Sequence, residues 1–323
     1  MSSDTVLITG GSGLIGSSVI QALRARLPGS RLIAAGRRPG VSEDAGVEHL
    51  YMDLLAPLPE LPHGVGTVIH IAGEKRDESR MWATNHEGTR KLVEAAGRVG
   101  VRRFIYLSSV GVYGAPKHAG TVNEHSARTP RNTYEASKNA GETVVRENCT
   151  QLGMEHVIVQ PTNVIGHVAG RSYPLLGLIS MINAGRFARF GRGETWTNYV
   201  GVNDVAAMIV AACRSGCDGG TYIANGPARL SDLVAWVSGE LGLPPSTRRL
   251  PAWVGALAGA AGSLIEHTTK RSMPFNSERY REMTNTTQYD GEKAVREFGF
   301  AYPVGIETTV RHLVQTYRTE GRL

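Results

Sequence analysis

Hydrophobic residues in the first half of the chain fall into short β-branched runs separated by longer stretches with apolar residues three and four apart. The runs TVLIT (5–9), RLIAA (31–35), TVIHIA (67–72), RFIYLSS (103–109) and HVIVQP (156–161) read as strands. Residues 15–27, 81–99 and 132–152 read as amphipathic helices, each followed by a Gly or Pro stop signal. Such alternation predicts repeated βαβ units, an α/β fold of Rossmann type with a doubly wound parallel sheet. YVGVNDVAAMIVAACRS, beginning at Tyr199, predicts one more strand and helix returning to that sheet. Residues 167–195 and most of the chain after 224 are less regular and richer in turn residues. They predict a smaller, discontinuous domain of residues 167–195 and 224–323, beside a main domain of 1–166 and 196–223. No internal repeat or low-complexity tract interrupts the pattern.

Composition narrows the class. The 323 residues are 41% hydrophobic, enough for a sizeable core, and carry 35 Lys and Arg against 29 Asp and Glu, a net charge of +6. The basic residues are scattered, with no run of five like charges, so the excess reads as solvated surface and not as a nucleic-acid footprint. Cys149, Cys213 and Cys217 form neither a metal-ligand spacing nor a disulfide framework, which points to a reducing compartment and to no metal. The opening MSSDTVLITG enters a strand pattern at once, without signal-peptide features, so a cytoplasmic protein is expected. AWVGALAGAAGSLI (252–265) falls short of the roughly 20 residues of a membrane span and reads as a packed helix, with interfacial contact as the lesser alternative. The sequons at Asn148 and Asn285 read as chance matches.

LITGGSGLIG sets Gly10, Gly13 and Gly16 directly after a strand and at the opening of a helix, with Leu14 and Ile15 in the first turn. Such a loop allows a tight turn, close backbone approach to a diphosphate, and N–H groups at a helix N-terminus facing negative charge. A glycine triplet alone can be structural; the strand–loop–helix context makes it a dinucleotide site, so the main domain is read as NAD(P)-binding. The second strand then runs into GRRPG. A ribose-binding acid is expected about 20 residues past Gly16; Gly36 stands there, followed by Arg37 and Arg38. A carboxylate would repel a 2′-phosphate, whereas a guanidinium binds it through charge-assisted hydrogen bonds. The arginines alone also read as a solvated turn; with the missing acid they favour NADP, NAD being the alternative.

FIYLSSVGVYG (104–114) ends a strand with Ser108 and Ser109, and YEASK sets Tyr134 and Lys138 four apart on one helix face. Hydride transfer to or from a carbinol carbon needs a proton donor and acceptor at the oxygen, and hydrogen bonds to it as charge develops. Tyr, Lys and Ser together supply them. An ammonium about 4 Å from a phenol contributes on the order of 4 kcal/mol at an effective dielectric near 20. That is roughly three pKa units, so Lys138 is expected to draw Tyr134 toward neutrality.

In their order, TGGSGLIG, MDL, VIHIAG, TNHEGT, LSSVGVYG, YEASK, QPTNVIG and the late YDGEKAVREFGF resemble the extended short-chain dehydrogenase/reductase family, also called the NAD-dependent epimerase/dehydratase family. Within it the chain looks most like bacterial nucleotide-sugar 4-reductases and 4-epimerases. The resemblance covers most of the chain and implies that Tyr134 is the acid/base. It implies that Lys138 holds the nicotinamide ribose and that Ser109 bonds the substrate oxygen. Asp53 and Leu54 would border the adenine, Ala72 and Gly73 the cofactor, and Pro161 to Asn163 the nicotinamide side. Asn85 would tie its helix to the neighbouring strand, or simply open that helix. A homodimer through the helices at 81–99 and 132–152 is implied too.

Two departures bear on the substrate. Dehydratases of the family carry an Asp-Glu pair after the catalytic Ser or Thr; Val110 and Gly111 cannot move a proton, so 4,6-dehydration is disfavoured. Nucleotide-sugar relatives often place an arginine on the diphosphate in the segment matching WTNYVGVND, where this chain has Thr197, with Arg192 upstream as a substitute. The leading expectation is an NADP(H)-dependent oxidoreductase acting on a keto group, or the alcohol, of a nucleotide-activated sugar. A 4-epimerase, a hydroxysteroid or dihydroflavonol type of ketone reductase, and a non-catalytic NADP sensor are the alternatives; the Tyr and Lys weigh against the last. His70 reads as a strand residue lining the cofactor cleft, and Glu74, Lys75, Arg76 and Asp77 as a solvated loop within reach of substrate.

Overall fold

The computed structural model describes residues 5–38, 46–114, 120–167, 173–191, 193–214, 217–269, 273 and 275–323. Arg192 lies outside the described residues. The main sheet is built from β1 (Thr5–Thr9), β2 (Leu32–Gly36), β3 (Val47–Tyr51), β4 (Val65–His70), β5 (Arg103–Leu107), β6 (Glu155–Pro161) and β7 (Thr221–Ala224). These seven strands are parallel and lie in the order β7-β6-β5-β4-β1-β2-β3. The order reverses between β1 and β4, so a crevice opens beyond their carboxyl ends, where a doubly wound sheet binds its ligand.

Buried on both faces, the central strands read as continuous apolar runs, with Leu7, Ile8, Val68, Phe104, Ile105, Val157 and Ile158 at 0% exposure. One face is covered by α1 (Leu14–Arg26), which joins the same core as Val205, Met208 and Ile209. On the other face Leu92, Val93, Ala96, Val145 and Cys149 pack against the sheet. Each such side chain contributes roughly 1.5–3 kcal/mol when taken out of water. The first three residues belong to the helical segment predicted at 81–99, which the structure divides into α2 (Glu78–Trp82), one π-helical turn (Ala83–Gly88) and α3 (Thr89–Arg98). The last two belong to α4 (Thr133–Gln151), which starts under a side-chain cap: Asn132 Oδ1 accepts the Glu135 N–H at 2.9 Å.

Three helices, α5 (Leu176–Asn183), α6 (Val202–Ala212) and α7 (Leu230–Leu241), follow in the second half. They are succeeded by α8 (Ala252–Thr269), α9 (Ser277–Met283), α10 (Lys293–Phe298) and α11 (Ile306–Thr319). Here α6 supplies the partners of α1, while α5, α7 and α11 enclose a separate core of Ile179, Leu233, Val237, Val310, Leu313 and Tyr317. The strand expected to return to the main sheet does not. Trp196–Gly201 is the middle of a three-stranded sheet, parallel to Asn163–Ile165 and antiparallel to Gly226–Arg229. Its buried Thr197 and Asn198 explain the choice, since they bond the carbonyls of Ala228 and Thr287, partners that the edge of the main sheet does not offer. That edge is filled by β7.

AWVGALAGAAGSLI forms most of α8, as expected. The helix touches the protein through a stripe of Gly255, Gly259 and Gly262, set close against Phe190, Phe275 and Tyr280. Among the described residues no helix is long and apolar enough to cross a membrane.

Candidate active site

The crevice beyond β1 and β4 is a cleft of about 950 Å³, a volume suited to a dinucleotide. At one wall the chain leaves β1 through Gly10, whose φ of +73° favours glycine and whose absent Cβ would meet the Ala72 nitrogen at 2.9 Å. A side chain at Gly16 would run into the Gly10 carbonyl. The loop therefore closes tightly and delivers the first turn of α1 to the cleft, where Gly13, Leu14, Ile15 and Gly16 line it. Gly13 caps α1 without a side-chain hydrogen bond, and the first turn carries no acid. Those N–H groups and the positive end of the helix dipole suit an anionic diphosphate.

Along the same cleft lie Gly36, Arg37 and Arg38 at the end of β2, Asp53 and Leu54 after β3, and Ala72 and Gly73 after β4. Both arginines are exposed, and neither is paired with a carboxylate among the described residues. Asp53 accepts the Leu55 N–H at 3.0 Å. At the other end Ser109, Tyr134, Lys138, Pro161 and Asn163 line the cleft, so the glycine loop, the arginine pair and the Ser, Tyr and Lys border one space.

Ser109 sits where β5 gives way to a short 3-10 turn, and its Oγ accepts the Gly111 N–H at 3.1 Å. Ser109 and the Tyr134 phenol face each other across the end of the cleft, close enough for the hydroxyl to favour the phenolate. The phenol is held above its ordinary value by burial, an effect the Ser109 hydroxyl opposes. The expected pull from Lys138 is not what this structure shows. Lys138 Nζ donates to the Leu107 carbonyl at 2.6 Å and lies 4.3 Å over the Tyr106 ring. Burial draws its pKa down to about 7, against an upward pull from Glu142. The i,i+4 spacing puts both side chains on one face, yet the nearest acceptor, a strand carbonyl, claims the ammonium. Neighbouring Ser108 is 4% exposed and lines the cleft, and its Oγ has no hydrogen-bond partner among the described residues.

His70 does not line the cleft, as its place in β4 led one to expect. Wholly buried, it stands behind the wall and organises it. Thr9 Oγ1 accepts from the Ile71 and Ala72 N–H groups, both at 3.1 Å, so its proton goes to His70 Nδ1 at 2.7 Å. Thr89 donates to the Asn85 carbonyl, which leaves its Oγ1 to accept from His70 Nε2–H at 3.0 Å. These bonds assign a neutral imidazole protonated at Nε2. Burial draws its pKa down to about 3, helped by Lys138. The unfolded chain therefore binds this proton first, and His70 costs stability as pH falls from about 6.5 toward 3. His70→Gln is expected to have a shallower loss of Tm between pH 6.5 and 4 than the parent, from a lower starting point; parallel curves would contradict the assignment.

Asn85 fills both roles foreseen for it poorly and a third one well. It lies inside the π-helical turn, takes the Glu74 N–H and gives to the Glu74 carbonyl, each at 2.8 Å, and donates to Ser137 Oγ at 3.0 Å. It thus clamps the loop after β4 to α4, at a turn type that favours functional sites. Glu74 Oε1 in turn accepts from the backbones of Lys75, Arg76 and Asp77, and Glu74, Lys75 and Arg76 face the cleft. Arg80 and Thr84 line it too, though no sequence signal marked them; α2, on which Arg80 stands, is only five residues long and gives little periodicity. Thr197 spends its hydroxyl on the Ala228 carbonyl at 2.9 Å.

Residues 6–224 match the model of the NAD dependent epimerase/dehydratase family. Among curated proteins, the chain is 27% identical to N-acetyl-alpha-D-glucosaminyl-diphospho-ditrans,octacis-undecaprenol 4-epimerase of Escherichia coli O157:H7, over 96% of this chain and 95% of that one. It is 27% identical to sterol demethylase protein B of Methylococcus capsulatus, over 99% of this chain and 100% of that one. Among solved structures, the Bordetella bronchiseptica enzyme WbmG in complex with NAD and UDP superposes with a TM-score of 0.70 at 19% identity, covering 99% of this chain and 97% of that one. That last likeness speaks for the fold.

Proposed function

The chain belongs to the NAD-dependent epimerase/dehydratase family, and on that premise we propose that it is an NADP(H)-linked oxidoreductase that reduces a keto group of a nucleotide-activated sugar, or oxidises the alcohol. One observation carries the proposal: Arg37 and Arg38, with no acid at Gly36, open on the same cleft as Ser109, Tyr134 and Lys138.

Bound there, the nicotinamide would supply or accept the hydride. The glycine loop and first turn of α1 hold the diphosphate, Arg37 and Arg38 the 2′-phosphate, and Asp53 and Leu54 flank the adenine. Ala72 and Gly73 give backbone contact; Pro161 and Asn163 border the nicotinamide side. Tyr134 gives its phenolic proton to the carbonyl oxygen in reduction and recovers it in oxidation, while Ser109 donates a hydrogen bond to the same oxygen. A phenol held above its ordinary value stays protonated at neutral pH, as a proton donor requires. Lys138 moves to the nicotinamide ribose and offsets the developing phenolate, its pKa near 7 letting it restore the proton. Residues 167–195 and 224–323 cover the substrate, and the helical segments at 81–99 and 132–152 pair with their copies in a homodimer of the cytoplasm.

A 4-epimerase is the second reading, favoured by the name of the Escherichia coli relative. An epimerase uses the same three side chains but returns its cofactor unchanged. The fate of the cofactor separates the two. A reductase consumes NADPH in proportion to product and leaves purification free of dinucleotide; an epimerase carries bound NAD(H) and interconverts sugars without consuming any. Against dehydration, Gly111 has no side chain, and Glu135 beside it is held by Arg131 at 2.9 Å.

A further inference from the structure

The described residues leave the outer face of α8 open. Trp253, Leu257 and Leu264 are 64%, 63% and 65% exposed, Ile265 is 41% exposed, and Leu250 just before the helix is also 41% exposed. Isolated exposed apolar residues are ordinary, but a row of them along one helix is not. The inner face is already committed, its glycine stripe holding α8 to Phe190, Phe275 and Tyr280.

Charge distinguishes among occupants for this face. Arg189–Phe190 and Arg249–Leu250 pair as parallel strands with Arg189 opposite Arg249, so two arginines hold paired positions just before α8. Arg248 donates to the Gly185 carbonyl, which brings it beside exposed Arg186. Arg189 is ion-paired with Glu194 at 3.9 Å, and Arg249 donates to the Gly191 carbonyl at 3.2 Å. The sequence contains no acidic residue between Glu240 and Glu266, and Glu266 is spent on the Met273 N–H and the Asn276 amide. The surface is therefore basic at one end, apolar along its length, and has a tryptophan at the junction.

We propose that α8 docks the protein on an anionic bilayer surface, with Trp253, Leu257, Leu264 and Ile265 in the acyl boundary and Arg186, Arg189, Arg248 and Arg249 among the lipid phosphates. Eighteen residues make a helix about 27 Å long, which lies in the plane of the interface and does not cross it. Tryptophan at headgroup depth and arginine on phosphate follow the usual partition of these side chains. A second copy of the chain fits less well, because a two-fold pairing of this face brings two clusters of arginines into one interface. The inference is independent of the reaction catalysed.

Sedimentation of the full-length protein with vesicles tests it. The protein should pellet with phosphatidylcholine vesicles containing phosphatidylglycerol, remain largely free with phosphatidylcholine alone, and be released by salt. Leu257→Ser with Leu264→Ser should weaken binding by about tenfold or more. Arg248→Gln with Arg249→Gln should weaken it several-fold and remove most of the salt dependence. These side chains are exposed, so the thermal midpoint should hold, and cofactor affinity with it. In the unmodified protein, Trp253 emission should shift to the blue on adding the anionic vesicles, a change absent from Trp253→Phe. Failure of the parent to bind, equal binding by the double serine variant, or conversion of a dimer to a monomer by that variant without loss of vesicle binding would each overturn the proposal.

Discussion

Tyr134→Phe is expected to lower kcat by about 10²–10⁴-fold while leaving the affinity for the dinucleotide where it was. The half-buried phenol lines the end of the cleft beside Ser109, so removal of its hydroxyl leaves the ring in place and deletes only the transferable proton. No neighbour replaces it. Ser109 is too weak an acid, and Lys138, in its proposed place at the nicotinamide ribose, supplies a proton only through the phenol. Because the loss falls on the transition state, kcat and kcat/KM should drop together. Steady-state kinetics with a parallel measurement of cofactor Kd checks this, and turnover within a few-fold of the parent would remove Tyr134 from the chemistry.

Gly36→Asp combined with Arg37→Ser is expected to reverse the cofactor preference, lowering the ratio of NADP to NAD affinity by about 10²-fold or more. Each charge-assisted bond to a phosphate is worth about 1.5–3 kcal/mol, and the new carboxylate adds repulsion where the guanidinium gave attraction. The site accepts the change without strain: a Cβ at Gly36 has the Arg38 carbonyl as its nearest neighbour, at 3.9 Å. The Gly36 carbonyl keeps its backbone bond to the Met52 N–H, so the strand should not move. Equal affinity of the parent for the two cofactors would contradict the role given to the arginines.

Much of the sheet was legible because its strands are buried on both faces and so leave uninterrupted apolar runs. β3 was not, since VEHLY lies at the sheet edge with only Val47 and Leu50 partly covered. β7 was missed for its length of four residues. Trp196–Gly201 was found as a strand but given the wrong neighbour, because periodicity reports which residues are buried and not what they pair with. The same limit applies at the site. YEASK announced that Tyr134 and Lys138 share a helix face, yet the direction of Lys138 depends on a carbonyl of β5, far away in sequence. His70 looked like a residue of the cleft because it ends β4, whereas strand alternation turns Ile71 toward the cleft and His70 away from it. The apolar run in α8 suggested burial, and only the structure shows that glycines are the buried part.

Oxidation of NADPH, followed together with product formation on 4-keto and 4-hydroxy nucleotide sugars, is the most direct test of the chain as a reductase. One NADPH consumed per alcohol formed, by protein purified without bound dinucleotide, is the predicted result. Interconversion of the sugars by protein that carries NAD(H) from purification, with added NADPH untouched, would contradict it and establish the epimerase instead.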